Sequence, residues 1–293
     1  VMEAGMGGRS DATAALPGIM TVITPISLDH CDYLGSTLEK IAAEKAGIVE
    51  PDTPVIIGRQ PVEARSVIAA SLQRENQRVV WADADFSARW NRDGTLDYQG
   101  IHAVLERLSP GIPGRYQAGN GALALAAAEV LGTLGMPLPE SGLRNGIAAA
   151  HWPGRMETIP GNPPLLLDGA HNPAGSLALA EALSDYRYRK LFLVLGTMAD
   201  KDVAEVVSAL APLAATCYCV TPSIERALDD VKLAAIIRNI GIPALACGTV
   251  ANGIQCARRD AGSDDLIVVC GSLFTVGEAK AWLAGAEFEG IRG

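Results

Sequence analysis

A chain of 293 residues exceeds the usual size of one hydrophobic core and predicts two domains. Its 49% apolar and 19% charged residues, with few aromatics and abundant Ala and Gly, describe a packed α/β protein and exclude a disordered or fibrous chain. The formal charge of −9 and pI near 5.0, with no cluster of Lys and Arg, exclude a nucleic-acid footprint, so anionic ligands must be held by local features.

In chain order, an acid and a glycine-dense loop come first, EAGMGGRSDAT at 3–13, where the backbone can approach a ligand closely. Gly5-Met6-Gly7 is no dinucleotide fingerprint, because the required third glycine position holds Ser10. An apolar run at 20–24 predicts a strand, and just beyond it ISLDHCD at 26–32 sets the imidazole of His30 between Asp29 and Asp32. A helix is expected over 37–46, opened by a capping box of Ser36 and Glu39 and closed by Gly47. A strand follows at 54–57. The polar stretch 81–105, with a hairpin turn at 91–94, reads as a small β-excursion. The Ala-rich run 121–134 carries Glu129 and reads as a buried amphipathic helix; with mean hydropathy of +0.20 but no run of about 18 apolar residues, no membrane span is expected.

Pro153 and Gly154 break any helix in HWPGR at 151–155, so the domain boundary is placed there, giving domains 1–153 and 154–293. A second series of apolar runs, at 164–168, 191–196, 216–220 and 266–270 with helical spacers, predicts a Rossmann-like C-terminal domain. Six cysteines without a CxxC pair predict neither disulfides nor a structural zinc, and fit a reducing, cytoplasmic setting. Cys217 and Cys219 fall on one face of a strand, as core residues.

Lys45 is the residue most in need of an account. On a helical wheel with Leu38 at zero and about 100° per residue, it falls near 340°, between Ile41 near 300° and Ala42 near 40°, on the apolar side. An amine held there loses hydration, which favours the neutral, nucleophilic form able to take up carbon dioxide as a carbamate and so become an anionic metal ligand. The plain alternative is a lysine at a helix end that snorkels to water. Glu3 and His30, at the C-terminal edge of a parallel sheet, suit a magnesium or manganese site, although a lone His30 is also an ordinary loop histidine.

These blocks, with EKAGI at 44–48, Asn120, HWPGR at 151–155, LDGAHNP at 167–173 and GSL at 271–273, strongly resemble in order and spacing the folylpolyglutamate synthase and dihydrofolate synthase family of Mur-type ligases. The likeness covers most of the chain, more weakly at 60–110. It implies a P-loop-type ATPase domain followed by a Rossmann-like ligase domain. It also implies an ATP-dependent acid-amino-acid ligase that phosphorylates a folate or dihydropteroate carboxylate and joins it to L-glutamate.

By position, Glu3, His30 and carbamylated Lys45 match ligands of two Mg2+ ions, and Ser10, Asp11 and Ala12 match a folate-contacting segment. Asn120, Arg155 and Asp168 match ATP contacts, while His171, also a catalytic candidate, and Ser272 match positions near the incoming glutamate. Asn120 as a helix cap and Asp168 as a turn closer are the structural alternatives. If Arg155 reaches ATP from the second domain, domain closure completes the site. The family pattern includes a Gly-Lys-Ser or Gly-Lys-Thr phosphate loop upstream, and this chain has no Gly-Lys dipeptide. The ATPase domain is therefore expected to be incomplete, the chain N-terminally truncated, and the chain alone inactive. The resemblance further implies a monomer without nucleic-acid or membrane partners. A Mur-type ligase with another acceptor, or a non-catalytic binding protein of the same descent, are the alternative functions.

Overall fold

The computed structural model describes residues 1–72, 77–286 and 288. The chain divides into two compact units, Val1–Gly111 with Arg115–Ala150, and Ile112–Gly114 with His151–Gly293.

In the first unit, β1 (Thr21–Ile23), β2 (Val55–Ile57) and β3 (Val79–Trp81) form a parallel sheet in that order. The short α1 (Cys31–Leu34) and α2 (Leu38–Ala46) connect β1 to β2, and α3 (Val62–Ser71) connects β2 to β3. All of β2 is buried, as the continuous Val-Ile-Ile run requires of a central parallel strand. Its alternating side chains serve two cores: Val55 and Ile57 pack with Ile41, Ala42, Ala64 and Ile68 of α2 and α3, while Ile56 packs on the opposite face. That opposite face is covered by α4 (Gln117–Thr133) and by an antiparallel sheet of β4 (Ser87–Trp90), β5 (Leu96–Gln99) and β6 (Val104–Leu108), with α5 (Glu140–Ala149) following.

The β-excursion is thus three-stranded. Its first hairpin turns where expected: Asn91 N donates to Thr95 O, and Gly94 has φ of 81°. The cap of α2 differs by one residue from the expected box. Thr37, not Ser36, is the N-cap, its hydroxyl accepting from Lys40 N at 3.4 Å, while Gly47 closes the helix as anticipated. β3 was hidden in the sequence because its apolar run ends at Trp81, where the polar stretch was taken to begin.

Glu129 explains the single acid in the Ala-rich helix. Its Oε2 accepts from the Tyr98 hydroxyl at 2.9 Å and Ile101 N at 2.8 Å, and its Oε1 from His102 N at 3.1 Å and Ala103 N at 2.6 Å. One helix side chain thereby ties down the β5–β6 turn, whose backbone donors would otherwise lack partners. Gly100 in that turn has no room for a side chain, since a Cβ would stand 2.5 Å from Glu129 Oε2.

The second unit is a six-stranded sheet ordered β11-β10-β9-β12-β8-β7. Its elements are β7 (Glu157–Ile159), β8 (Leu165–Leu167), α6 (Pro173–Leu183), β9 (Leu191–Leu195), α7 (Val203–Leu210), β10 (Thr216–Cys219), α8 (Asp230–Asn239), β11 (Ala244–Ala246), α9 (Val250–Asp260), β12 (Leu266–Cys270) and α10 (Leu273–Leu283). All strands are parallel except β7, which pairs antiparallel with β8. The four expected apolar runs form β8, β9, β10 and β12. The three-residue strands β7 and β11 escaped notice because edge strands exposed on one side carry no apolar run; two of the three β11 residues are exposed.

All six cysteines are free, and Cys217 and Cys219 are buried on β10, burial pushing the Cys217 thiol up to about 12. Among the described residues no helix is long and apolar enough to cross a membrane.

Glu129→Gln turns an amide donor toward backbone N–H donors and strands at least one of them. It is expected to lower the stability of the first unit by about 2–4 kcal/mol, read by urea unfolding. A loss below about 0.5 kcal/mol, the range of ordinary surface changes, would contradict the clamp.

Candidate active site

The glycine loop at 3–13 docks on the last turn of α2. A Cβ on Gly8 would lie 2.8 Å from Glu44 O and 2.9 Å from Lys45 O, so only glycine fits, and Arg9 N donates to Glu44 O at 2.9 Å. The close backbone approach foreseen for a ligand is used here by the protein itself. Its result is that Glu3 and half-buried Lys45 line one cleft of about 460 Å³ together with Thr13, Thr24 and Glu50.

Asp11 fixes the shape of the loop. Its Oδ2 accepts from Met6 N at 2.9 Å, and its Oδ1 from Thr13 N at 2.9 Å and the Thr13 hydroxyl at 2.7 Å. The Met6 N–H first, then the Thr13 hydroxyl and N–H, hold its carboxyl down at about 2. Ser10 and Ala12 beside it are exposed.

His30 is the member of the expected metal set that does not line this cleft. It is exposed at the N-terminal end of α1, in the left-handed region with φ of 52°. Glu50 was missed; its only sequence signal is an acid before Pro51 in the loop that follows α2. Among the described residues no three His, Cys, Asp or Glu side chains gather as a ready metal cluster. The cleft nonetheless offers two carboxylates, Glu3 and Glu50, and the three threonines Thr13, Thr21 and Thr24, a hard-oxygen donor set that fits Mg2+ or Mn2+. Asn120, also in the first unit, is exposed in the first turn of α4 and donates to Gln117 Oε1 at 2.8 Å. The cap position is Tyr116, so the capping alternative for Asn120 does not hold.

In the second unit the candidates collect at the C-terminal ends of β8 and β12. The chain leaves β8, passes over the place later filled by β12, and resumes at β9, so β12 marks a topological switch point, where open α/β sheets bind ligands. Asp168 is 3% exposed. Its Oδ1 accepts from Ala170 N at 2.9 Å, closing a turn, and its Oδ2 from Met156 N at 3.0 Å. Arg155, next to Met156, is half-buried.

His171 Nδ1 lies 2.9 Å from Gly169 O. A carbonyl only accepts, so Nδ1 carries the proton and Nε2 of the neutral ring keeps its lone pair. Ser272 caps α10: its Oγ accepts from Thr275 N at 3.0 Å and sits 2.8 Å from Thr275 Oγ1, which itself donates to Gly196 O at 2.8 Å. The Ser272 proton therefore goes to Thr275, and one lone pair remains. Gly271, with φ of 104°, permits this crossing; a Cβ there would meet Gly196 O at 2.5 Å. Sequence reasoning missed Thr197, whose buried hydroxyl has no protein partner at the end of β9. Its signal is a polar residue just after an apolar strand, as at Asp168 and Ser272.

Residues 154–273, which hold this sheet and its edge, match the profile of the Mur ligase, glutamate ligase domain. The chain is 36% identical to a probable bifunctional folylpolyglutamate synthase/dihydropteroate synthase of Haloferax volcanii, over 96% of this chain and 34% of that protein. It is 32% identical to the folylpolyglutamate synthase of Lacticaseibacillus casei, over 98% of this chain and 67% of that protein. Among solved structures, E. coli FolC in complex with DHPP and ADP superposes with a TM-score of 0.87 at 30% identity, over 96% of this chain and 65% of that one. A bifunctional folylpolyglutamate synthase/dihydrofolate synthase with Mn, AMPPNP and L-glutamate bound gives 0.83 at 30% identity, over 96% and 66%. The chain belongs to the folylpolyglutamate synthase family of Mur-type ligases. It spans between 34% and 67% of the length of these curated relatives.

The Asp11 clamp carries a pH signature. A carboxyl held at about 2 when folded, against about 3.8 free, stabilises the loop fully above pH ~4 and loses that contribution as pH falls toward 2. Amide exchange at Met6 and Thr13 is expected to accelerate across that window. Asp11→Asn should abolish the pH dependence; persistence of it would contradict the assignment.

Proposed function

We propose that this protein joins L-glutamate to a folate-type carboxylate at the expense of ATP, acting in the cytoplasm as a monomer. The observation that carries the reading is the meeting of Glu3 and Lys45 in one oxygen-rich cleft, beside the folate-type segment of Ser10, Asp11 and Ala12, in a chain of this family.

The acceptor carboxylate attacks the γ-phosphorus of ATP, giving an acyl phosphate and ADP. The glutamate amine then attacks the acyl carbon and phosphate leaves. Asn120, Arg155 and Asp168 are assigned to the nucleotide, with the planar guanidinium of Arg155 suited to two phosphate oxygens at once. His171, its ring oriented by Gly169 O at Nδ1, is assigned to accept the proton shed by the attacking amine. Ser272 has a lone pair for the glutamate ammonium.

Glu3 and Lys45 hold divalent metal in the cleft, with Glu50 as a further candidate, and His30 is assigned to the second ion of the pair. Lys45 reaches that role as a carbamate, its neutral amine adding to carbon dioxide with release of a proton. The related structure holding Mn, AMPPNP and L-glutamate supports metal, nucleotide and amino acid as the ligand set. Bound metal neutralises charge on the transferring phosphoryl group.

In the full-length protein, ADP release should require a divalent cation, glutamate and a folate acceptor together, and EDTA should abolish it until Mg2+ or Mn2+ is restored. Lys45→Arg keeps a cation but forms no carbamate, and should lower kcat by about 100-fold, the scale of losing one electrostatic stabiliser. Sustained multiple-turnover release of ADP without glutamate would overturn the ligase reading, and full activity of Lys45→Arg the carbamate.

A further inference from the structure

Arg155 stands in a turn whose backbone is pinned on both sides. Gly154 has φ of +72° and no room for a side chain, since a Cβ would lie 2.7 Å from Val276 Cγ1 of α10. Its carbonyl accepts from Gly169 N at 2.8 Å, and its N–H donates to Glu157 Oε2 at 2.6 Å. On the other side, Met156 is 1% exposed, adopts φ of +47°, and donates its N–H to buried Asp168. A left-handed methionine persists only where its surroundings impose it.

Glu157 is in turn gripped by Lys280 of α10, whose Nζ lies 2.5 Å from Oε1 and 2.7 Å from Oε2. The pair is largely enclosed, with side-chain exposures of 16% for Glu157 and 34% for Lys280. Burial pushes the Glu157 carboxyl up, but Lys280 and the Gly154 N–H outweigh it and leave it below the usual range. Two elements 123 residues apart in sequence thus meet at the backbone that carries Arg155.

We propose that Glu157 and Lys280 are positioning residues, an ion pair that fixes the Gly154-Arg155-Met156 turn so that the Arg155 guanidinium is presented in one orientation to the nucleotide phosphates. The inference rests on the reading of Arg155 as a nucleotide contact. Neither residue touches a ligand in this account; both act through Gly154. Bidentate recognition of phosphate depends on the angle of the fork, and small misplacements are costly in preorganised sites. Without Lys280, the enclosed Glu157 carboxylate loses its counter-ion and turns outward to water. The Gly154 hydrogen bond goes with it.

The test uses Lys280→Met, Lys280→Arg, Glu157→Gln and Arg155→Ala in the full-length protein. Amide exchange at Gly154 reads the clamp without any activity: it should be at least about tenfold faster in Lys280→Met, near normal in Lys280→Arg and unchanged in Arg155→Ala. In steady state, Lys280→Met and Glu157→Gln should raise the KM for ATP severalfold while the KM for glutamate holds. Lys280→Arg should restore the wild-type value. In an Arg155→Ala background the further change on Lys280→Met should vanish, which a general loss of stability would not produce.

A KM for ATP within twofold of wild type in Lys280→Met, with Arg155→Ala impaired, would overturn the proposal. So would effects of the two that simply multiply. If Arg155→Ala itself leaves nucleotide kinetics unchanged, the reading of Arg155 fails and the positioning inference falls with it, while the exchange data still report whether the clamp exists.

Discussion

The approach of Gly8 to the last turn of α2 is the constraint on which the first unit's cleft depends. A backbone that comes within van der Waals range of the Glu44 and Lys45 carbonyls tolerates no Cβ, and the Arg9 N–H seals the contact on Glu44 O. Once the loop is docked there, Asp11 folds its remainder back on Met6 and Thr13, and Glu3 is carried into the cleft that Lys45 lines. The second unit repeats the device at another edge. Gly271 and Gly196 cross where no side chain fits, and the crossing sets Ser272 at the head of α10 and Asp168 at the end of β8. In both places glycine lets main chains meet, and chemistry-bearing side chains stand immediately beside the meeting point.

What could be read from the sequence follows from what is local. Continuous Val, Ile and Leu runs declared the buried parallel strands because both faces of such strands need apolar residues. Lys45 was legible as an odd residue because helical periodicity places it between Ile41 and Ala42. The single acid of the Ala-rich helix was visible, but its four donors were not, because three of them are backbone N–H groups of a turn far along the chain. The cap at Thr37 and the edge strands β7 and β11 were lost for a related reason: one-residue choices between neighbouring hydroxyls, and three-residue exposed strands, are decided by tertiary packing. Glu50 and the Glu157–Lys280 pair belong to the same class. They matter through what the fold brings beside them.

Asp168 and His171 stand in one hydrogen-bonded turn at the end of β8. Asp168 closes its own turn and secures Met156 at a sheet edge of the kind that binds ligands. The Gly169 carbonyl that orients His171 belongs to a backbone held by Gly154 O through the Gly169 N–H, so His171 and the arginine turn share one scaffold. The hydrogen bonds that keep the fold together there also set tautomer and orientation, which is how a site at a strand end can be rigid without a large apolar lining.

The central claim is that ATP activates a carboxylate before glutamate attacks, and the fate of one oxygen atom tests it most directly. A folate acceptor labelled with 18O in the reacting carboxylate, given to the full-length protein with ATP and glutamate, should pass one labelled oxygen to inorganic phosphate for each amide formed. Mass spectrometry would show phosphate heavier by about 2 Da, in step with amide formation, as breaking the C–O bond of an acyl phosphate requires. Amide formed with unlabelled phosphate would contradict the account.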